Sequence, residues 1–295
     1  GSPLYTLAVA VDDVLMKVTH ILRGEDLLSS TPRQIRVYQA MGVKEEDFPF
    51  FAHLPFVMGQ DNAKLSKRNG EVSIAWYREQ GFLPEAICNY LALLGWSPGD
   101  DRENITMEEL VQLFTVERVN SSPARFDMKK LEAINGDKIR ALTLDEFLKW
   151  SLPFLTKAEV ISGSDAEIAL VKQALPLIQE RIVKLDEVPA MLRFLFVKDF
   201  AVEEASLSKV TDSASKEVLK RTLAELTPLT TWNHDSIEAA LRASLIEEMG
   251  LKPRIAFGAV RIATTGSTIS PPLFESMELL GKEACLARIT QALAL

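Results

Sequence analysis

Val14-Leu15-Met16-Lys17-Val18-Thr19-His20-Ile21-Leu22-Arg23-Gly24-Glu25-Asp26 is the stretch on which the fold turns. Its apolar, β-branched first part predicts a strand from a buried sheet, and a charged tetrapeptide follows where that strand ends. Strand C-termini in α/β sheets are where ligands bind. The Arg23 fork can clamp a carboxylate with two parallel hydrogen bonds, and Asp26 beside it can accept from a hydroxyl or amine. An internal Arg23–Asp26 ion pair is the plainer alternative. Upstream, Leu4-Tyr5-Thr6-Leu7-Ala8-Val9-Ala10-Val11 predicts a second strand, set off by Asp12-Asp13. Tyr5 would approach Arg23 if the two strands are neighbours, to recognise a substrate; core packing is the alternative use for a tyrosine there. Downstream, Thr31-Pro32 predicts a helix start with Thr31 as N-cap, closed by Gly42. His53 to Met58 reads as one more strand, or as a strand broken by Pro55.

Beyond that strand comes a polar turn and then Lys64-Leu65-Ser66-Lys67-Arg68. Basic clusters on loops are usually solvated surface. A mobile loop of this kind can also wrap a polyphosphate and neutralise charge that builds on it during transfer. The chain has neither a G-x-x-x-x-G-K-[ST] phosphate loop nor a dinucleotide fingerprint, which disfavours the usual kinase and dehydrogenase readings. A strand end, a carboxylate clamp and a basic loop together point to nucleotide chemistry on a carboxylate substrate.

The 295 residues suffice for two domains, and 47% apolar with 25% charged is ordinary globular composition. Net charge is −8, with −5 in residues 1–135 and −3 in the rest, so any RNA site is a local positive patch on an acidic protein. No uninterrupted apolar run approaches the roughly 18 residues a membrane span needs. Cys88 and Cys285 sit in apolar helical patterns and are expected to be buried free thiols of a reducing cytoplasm. With His20, His53 and His234 they show no metal-ligand spacing, so no metal site is expected in the protein itself. His20 and His53 are read as structural, and His234 as part of a helix N-terminus.

After the basic loop the pattern turns helical. Short and long helices are predicted at 73–80 and from Pro84 to a stop at Gly95. Thr106-x-x-Glu109 and Thr143-x-x-Glu146 read as capping boxes. Asp127 caps a helix that Asn135-Gly136 closes. Further helical patterns fall near 166–184, 188–196, 212–226, 235–249, 253–264 and 282–293, with no convincing strand beyond 137. Arginines 181, 242, 254 and 261 stand out there; singly, each suits a solvated helix face, and together they suit reading base edges in single-stranded RNA.

The ordered set of Tyr5, Leu22-Arg23-Gly24-Glu25-Asp26, Ser30-Thr31-Pro32, His53-Leu54-Pro55, Lys64-Leu65-Ser66-Lys67-Arg68, Asn89-Tyr90-Leu91, Gly95-Trp96 and Phe126-Asp127 resembles bacterial glutamyl-tRNA synthetases, class I enzymes, and looks most like actinobacterial members. The resemblance covers essentially the whole chain and is sharpest in residues 5–136. It implies an α/β N-terminal part, residues 3–70, equal to the second half of a Rossmann-type catalytic domain. A mostly helical stem-contact segment, 71–135, would follow. An all-α anticodon-binding domain, 136–295, would complete it, in two subdomains meeting near 200–210.

By the same resemblance the enzyme joins glutamate to ATP, with Mg2+, and passes the glutamyl group to its tRNA. Tyr5 and Arg23 match glutamate-binding positions. Asp26, Leu65, Lys67 and Arg68 match ATP-binding ones, and Lys64, Ser66 and Lys67 belong to the second class I signature. Lys130, Arg242, Arg261, Ser270 and Leu273 fall at tRNA-contact positions. Arg181 falls where some members accept C and reject G as the third anticodon base. Ala133 departs from an aromatic seen in some relatives. The His-x-Gly-His signature expected before Tyr5 lies outside these residues, so this chain is expected to be a fragment unable to activate glutamate alone. A monomer in the cytoplasm is the expected state. A non-catalytic tRNA-binding module is a second reading, against which the basic loop and Arg23 weigh because a pure binder needs neither; a helical scaffold with an incidental basic loop is a third, blander one.

Overall fold

A computed structural model describes residues 4–59, 73–197 and 200–295. Two compact units result: Gly1–Tyr77 with Pro84–Ile134, and Arg78–Leu83 with Asn135–Leu295.

The first unit opens with a correction. Residues 5–15 form a helix, α1 (Tyr5–Leu15), where a strand was expected. An apolar run without alternation fits a buried strand and a buried helix equally well. Here Ala8 and Ala10 favour the helix, and Asp12 and Asp13 extend it rather than break it. The chain leaves α1 through Met16 and a left-handed Lys17, φ 57°. The strand predicted from Val14 is therefore shorter, β1 (His20–Gly24). A 3-10 turn, Glu25–Ser30, leads into α2 (Thr31–Ala40), then β2 (Phe50–Leu54), which pairs parallel to β1 with Arg23 opposite His53. This is a βαβ unit. Pro55 does break the following strand: β3 (Val57–Met58) pairs instead with β4 (Ala124–Arg125). Asp13 accepts from the Tyr38 hydroxyl at 2.9 Å, tying α1 to the buried face of α2.

Helices Ile74–Glu79 and Pro84–Leu93 lie where the sequence places them. Thr106 and Thr143 form capping boxes with Glu109 and Glu146, and Ser164 with Glu167 makes a third that the sequence reading missed. Ser162 and Ser164 hold the Glu167 carboxyl down at about 2 by hydrogen bonding to it.

Asn135-Gly136 is not a stop, since one helix runs from Met128 to Ala141. Asn135 is fully buried in it. Its Oδ1 accepts from Leu83 N–H at 2.8 Å, and its Nδ2 donates to Val183 O at 2.6 Å and Gly81 O at 3.3 Å. Gly136 lies against Val183, whose Cγ1 would stand 3.1 Å from an added Cβ. Both residues are thus used for packing rather than termination.

The second unit is helical, and no strand occurs after Arg125 among the described residues. The pattern at 166–184 breaks where Pro176 cannot continue the ladder: Asp165–Ala174 is α-helical, Leu175–Leu177 is 3-10, and Arg181 sits in the turn beyond. Two helices lacked a signal strong enough to be read, Glu204–Thr211 and Leu273–Leu280. Ser213–Leu226, His234–Leu241, Pro253–Thr265 and Lys282–Ala294 match their patterns, with wider π-type turns over Arg242–Glu248. Val218, Leu219, Ile237, Leu241, Val260, Ala263, Met277 and Ile289 pack into one core. Cys285 is buried in it, its thiol pushed up to about 12 by burial, whereas Cys88 is exposed, against expectation. Position 88 falls on the outer side of its helix, between buried Ala86 and Asn89.

Candidate functional site

Residues of interest collect in three places. The first is the C-terminal end of β1 and β2. Arg23 Nη2 donates to Thr31 Oγ1 at 2.8 Å and to Leu27 O at 3.5 Å, and its Nε reaches His53 Nε2 at 3.4 Å. Thr31 Oγ1 also lies 3.1 Å from His53 Nε2, and the guanidinium carbon stands 5.5 Å from the Phe51 ring centre. Thr31 is therefore the first residue of α2 and not its N-cap; its hydroxyl orients Arg23. The named partners of Arg23 are all neutral, so its charge remains available to a ligand carboxylate.

Glu25 is engaged structurally, accepting from Phe56 N–H at 3.3 Å. Asp26 folds back over Gly24: a Cβ there would lie 2.5 Å from Asp26 Oδ1. That close approach is what glycine permits at this position.

Tyr5 is the first residue of α1, half exposed, and not in a strand beside Arg23. Helix packing relates the two instead. Burial and the Asp13 hydrogen bond drive the Tyr38 hydroxyl well above the usual tyrosine range, Arg23 opposes that shift and Tyr5 adds to it. Tyr38 thus lies within electrostatic reach of both residues, a role that its place in a generic helical pattern did not signal. One turn before it on α2, Gln34 is also fully buried, and its amide has no hydrogen-bond partner among the described residues. The loop residues Lys64, Leu65, Ser66, Lys67 and Arg68 lie outside the described residues.

The second place is a cavity of about 240 Å3 lined by Tyr90, Arg125, Asp127 and Lys130 among others. Lys130 donates to Glu103 Oε1 at 2.7 Å, and Asp127 caps its own helix through Lys129 N–H at 2.9 Å. Lys130 therefore reaches this surface already paired with one acid.

In the helical unit, the third place, Arg261 Nη1 donates to the Ser270 hydroxyl and to Pro271 O, the latter at 2.7 Å. Burial first, and the like charge of nearby Arg181 second, lower the pKa of Arg261, while Glu275 opposes them. Arg181 is exposed; its backbone N–H donates to Ile178 O at 2.8 Å, and its guanidinium has no hydrogen-bond or ion-pair partner among the described residues. Leu273, buried, opens the helix after the Ser270-Pro271-Pro272 turn. The fold thus joins Arg261 to Ser270 and places Arg181 within electrostatic reach of Arg261, with Leu273 three residues beyond Ser270 in the chain. Arg242 has other partners. It pairs with Glu238 at 2.5 Å and lies 5.6 Å from the ring centre of Phe257, which in turn meets Phe274 edge-on at 5.2 Å. Phe257 precedes Arg261 by four residues on the same helix face, a spacing that could have flagged it.

Comparison with known proteins converges with this geometry. Residues 1–133 match the family of tRNA synthetases class I (E and Q), catalytic domain, and residues 132–293 match an Anticodon binding domain. Among curated relatives, the glutamate–tRNA ligase of Saccharopolyspora erythraea is 50% identical over 98% of this chain and 58% of its own length. The glutamate–tRNA ligase of a Nocardioides species is 51% identical over 99% of this chain and 61% of its own. A crystal structure of a glutamate tRNA ligase from Elizabethkingia meningosepticum, in complex with its amino acid, superposes with a TM-score of 0.81 at 27% identity, over 99% of this chain and 60% of that one. The chain spans about three fifths of the length of the curated relatives it matches. It belongs to the tRNA synthetases class I (E and Q), carrying catalytic-domain sequence in its first 133 residues and an Anticodon binding domain in the remainder.

Proposed function

We propose that this chain serves a glutamate–tRNA ligase, which consumes ATP to activate glutamate and transfers it to the 3′ end of its tRNA. Tyr5 and Arg23 bind glutamate, with Thr31 and His53 holding the Arg23 fork. Asp26, Leu65, Lys67 and Arg68 bind ATP, and Lys64, Ser66 and Lys67 stabilise the transferring phosphates. Mg2+ would ride on the nucleotide phosphates with one or two carboxylates at most. That suits a site where, among the described residues, no group of three metal-ligating side chains occurs. Residues 3–70, 71–135 and 136–295 act as nucleotide-binding, stem-contact and anticodon-binding parts, the last in two subdomains, and the protein works as a cytoplasmic monomer. Among the described residues, no helix is long and apolar enough to cross a membrane.

The observation that carries the RNA half of this reading is the exposed, unpartnered Arg181 beside the anchored Arg261 on an otherwise acidic protein. Two like charges held close repel unless an anion or an array of acceptors joins them. Guanidinium donors match the acceptors on cytosine's Watson–Crick edge and oppose guanine's N–H groups. Lys130, Arg242, Ser270 and Leu273 then support the stem and the remaining anticodon bases.

Binding of the chain to a glutamate tRNA, and to the same tRNA with C changed to G at the third anticodon base, tests this at one stated salt concentration. The expected ratio is at least tenfold, about 1.4 kcal/mol. Arg181→Ala should bring that ratio close to one. Equal binding of both tRNAs by the unaltered chain removes the assignment.

A further inference from the structure

Arg288, in the helix Lys282–Ala294, is a buried cation, only 7% exposed. Its Nη1 donates to Thr264 O at 2.7 Å and its Nη2 to Phe194 O at 2.8 Å. The Phe200 ring centre lies 4.1 Å from its guanidinium carbon. Buried charges are normally paired with an opposite charge. Here, among the described residues, the partners are two backbone carbonyls and a ring face.

The two carbonyls come from opposite sides of one connection. Phe194 lies in the 3-10 turn Arg193–Leu195, in the stretch that follows Arg181. Thr264 lies one helical turn beyond Arg261. The connection is tied down at further points: Gln291 Nε2 donates to Phe200 O at 3.0 Å, and Glu203 N–H to Gly266 O at 2.9 Å. Gly266 has φ 87°, and a Cβ there would stand 3.0 Å from Ala201 O. That position therefore requires glycine on two counts, conformation and space.

We infer that Arg288 is a positioning residue for RNA recognition. It pins the segment that follows the Arg181 turn to the helix that carries Arg261, so that the two guanidiniums meet a nucleotide at one fixed spacing. The planar fork suits this, because its rigid donors span two fixed carbonyls at once, whereas a lysine ammonium is a point charge on a flexible stem. The inference rests on the assignment of Arg181 and Arg261 to RNA, and its test separates the two.

Arg288→Ala, Arg288→Lys and a control, Val218→Ala, would be compared with the unaltered chain in binding the C and G forms of the tRNA. Val218 is buried in the core of the same helical unit and makes none of the contacts named for Arg288. Arg288→Ala should shrink the C-over-G ratio on the order of fivefold. Arg288→Lys should shrink it as well, since charge alone does not bridge both carbonyls. Val218→Ala should lower the melting temperature and leave the ratio intact. A ratio unchanged by both Arg288 variants, or eroded equally by Val218→Ala, overturns the inference.

Spin labels at exposed Gln173 and Lys220 report the connection without RNA. The distance distribution should broaden in the Arg288 variants and stay narrow in Val218→Ala; an unbroadened distribution overturns the pinning role. A chain with no C-over-G preference and a distribution that broadens as expected would sink the Arg181 assignment and the RNA role of Arg288 together, leaving only the pin. If Arg288→Ala does not fold, Arg288→Lys and Phe200→Ala take its place in both measurements.

Discussion

Helices Tyr5–Leu15 and Pro253–Thr265 are both rich in alanine and branched apolar residues, yet they end in opposite surroundings. In the first, only Ala10 is buried, and Leu7 and Leu15 are exposed. In the second, Ala256, Ala259, Val260, Ile262 and Ala263 are all buried, with Arg254 and Arg261 on the other side. The strands repeat the contrast: no residue of β1 or β2 is fully buried, although parallel strands usually are on both faces. The α/β region holds its geometry through polar ties, such as Tyr38 to Asp13 and Arg23 to Thr31, while the C-terminal helices hold theirs through a core. Chemistry-bearing residues in the first region are set by few contacts, and in the second they are mounted on a packed scaffold.

The sharpest way to break this comparison is a pair of truncations. Ile237→Ala removes a fully buried side chain and should cost about 3 kcal/mol. Leu15→Ala, at a position 72% exposed, should stay within about 0.5 kcal/mol. Denaturant unfolding of both variants checks this, and equal losses would mean that burial does not distinguish the two regions.

A smaller effect is expected at Asn135. Its replacement by alanine leaves Val183 O and Leu83 N–H without the Asn135 partner, while Gly81 O keeps the bond from Leu185 N–H, for a loss of about 2 kcal/mol. A loss below about 0.5 kcal/mol, within the range of ordinary surface substitutions, would show that polar ties matter less in the helical unit than its geometry implies.

The mildest effect is a pH dependence. His234 Nδ1 lies 2.7 Å from Glu278 Oε2, a contact that raises the histidine pKa and lowers the carboxylate's. The histidine contribution is complete below its ordinary value of 6.5 and fades as pH rises through the higher folded value. The glutamate contribution is complete above 4.5 and fades as pH falls through the lower folded value. Melting temperature should therefore be highest between those two values. Glu278→Gln should flatten both flanks; unchanged flanks would show that the pair contributes nothing measurable.

Residues 4–11 explain why the α/β region was harder to read than the helices. Seven apolar residues and one threonine, without alternation, carry no period, so strand and helix are equally compatible until the packing of α1 on α2 decides. Thr106, Thr143 and their partner glutamates were legible because a capping box is completed within four residues. Gly42 and Gly95 were legible as helix ends for the same local reason. Asn135-Gly136 looked like another such ending, and misled, because what it serves lies at Gly81 and Val183. Thr31 misled in the same way: a good N-cap residue by type, it is used by Arg23 and His53, which come from two strands.

What the amino-acid sequence determined alone was local or ordered along the chain. Helix ends, caps, the absence of strands after Arg125 among the described residues, and the succession of motifs that marks the class I (E and Q) synthetases all belong there. Tertiary structure alone decided which side chains share a place. It set Tyr38 within reach of Asp13, Arg23 and Tyr5, put Arg181 within electrostatic reach of Arg261 and Arg261 on the Ser270 turn, and spread Arg288 between Phe194 and Thr264. The physical reason is one of range. Backbone propensity and capping act over about a helical turn, whereas electrostatic repulsion, burial and long-range hydrogen bonds act only once packing has made distant residues neighbours.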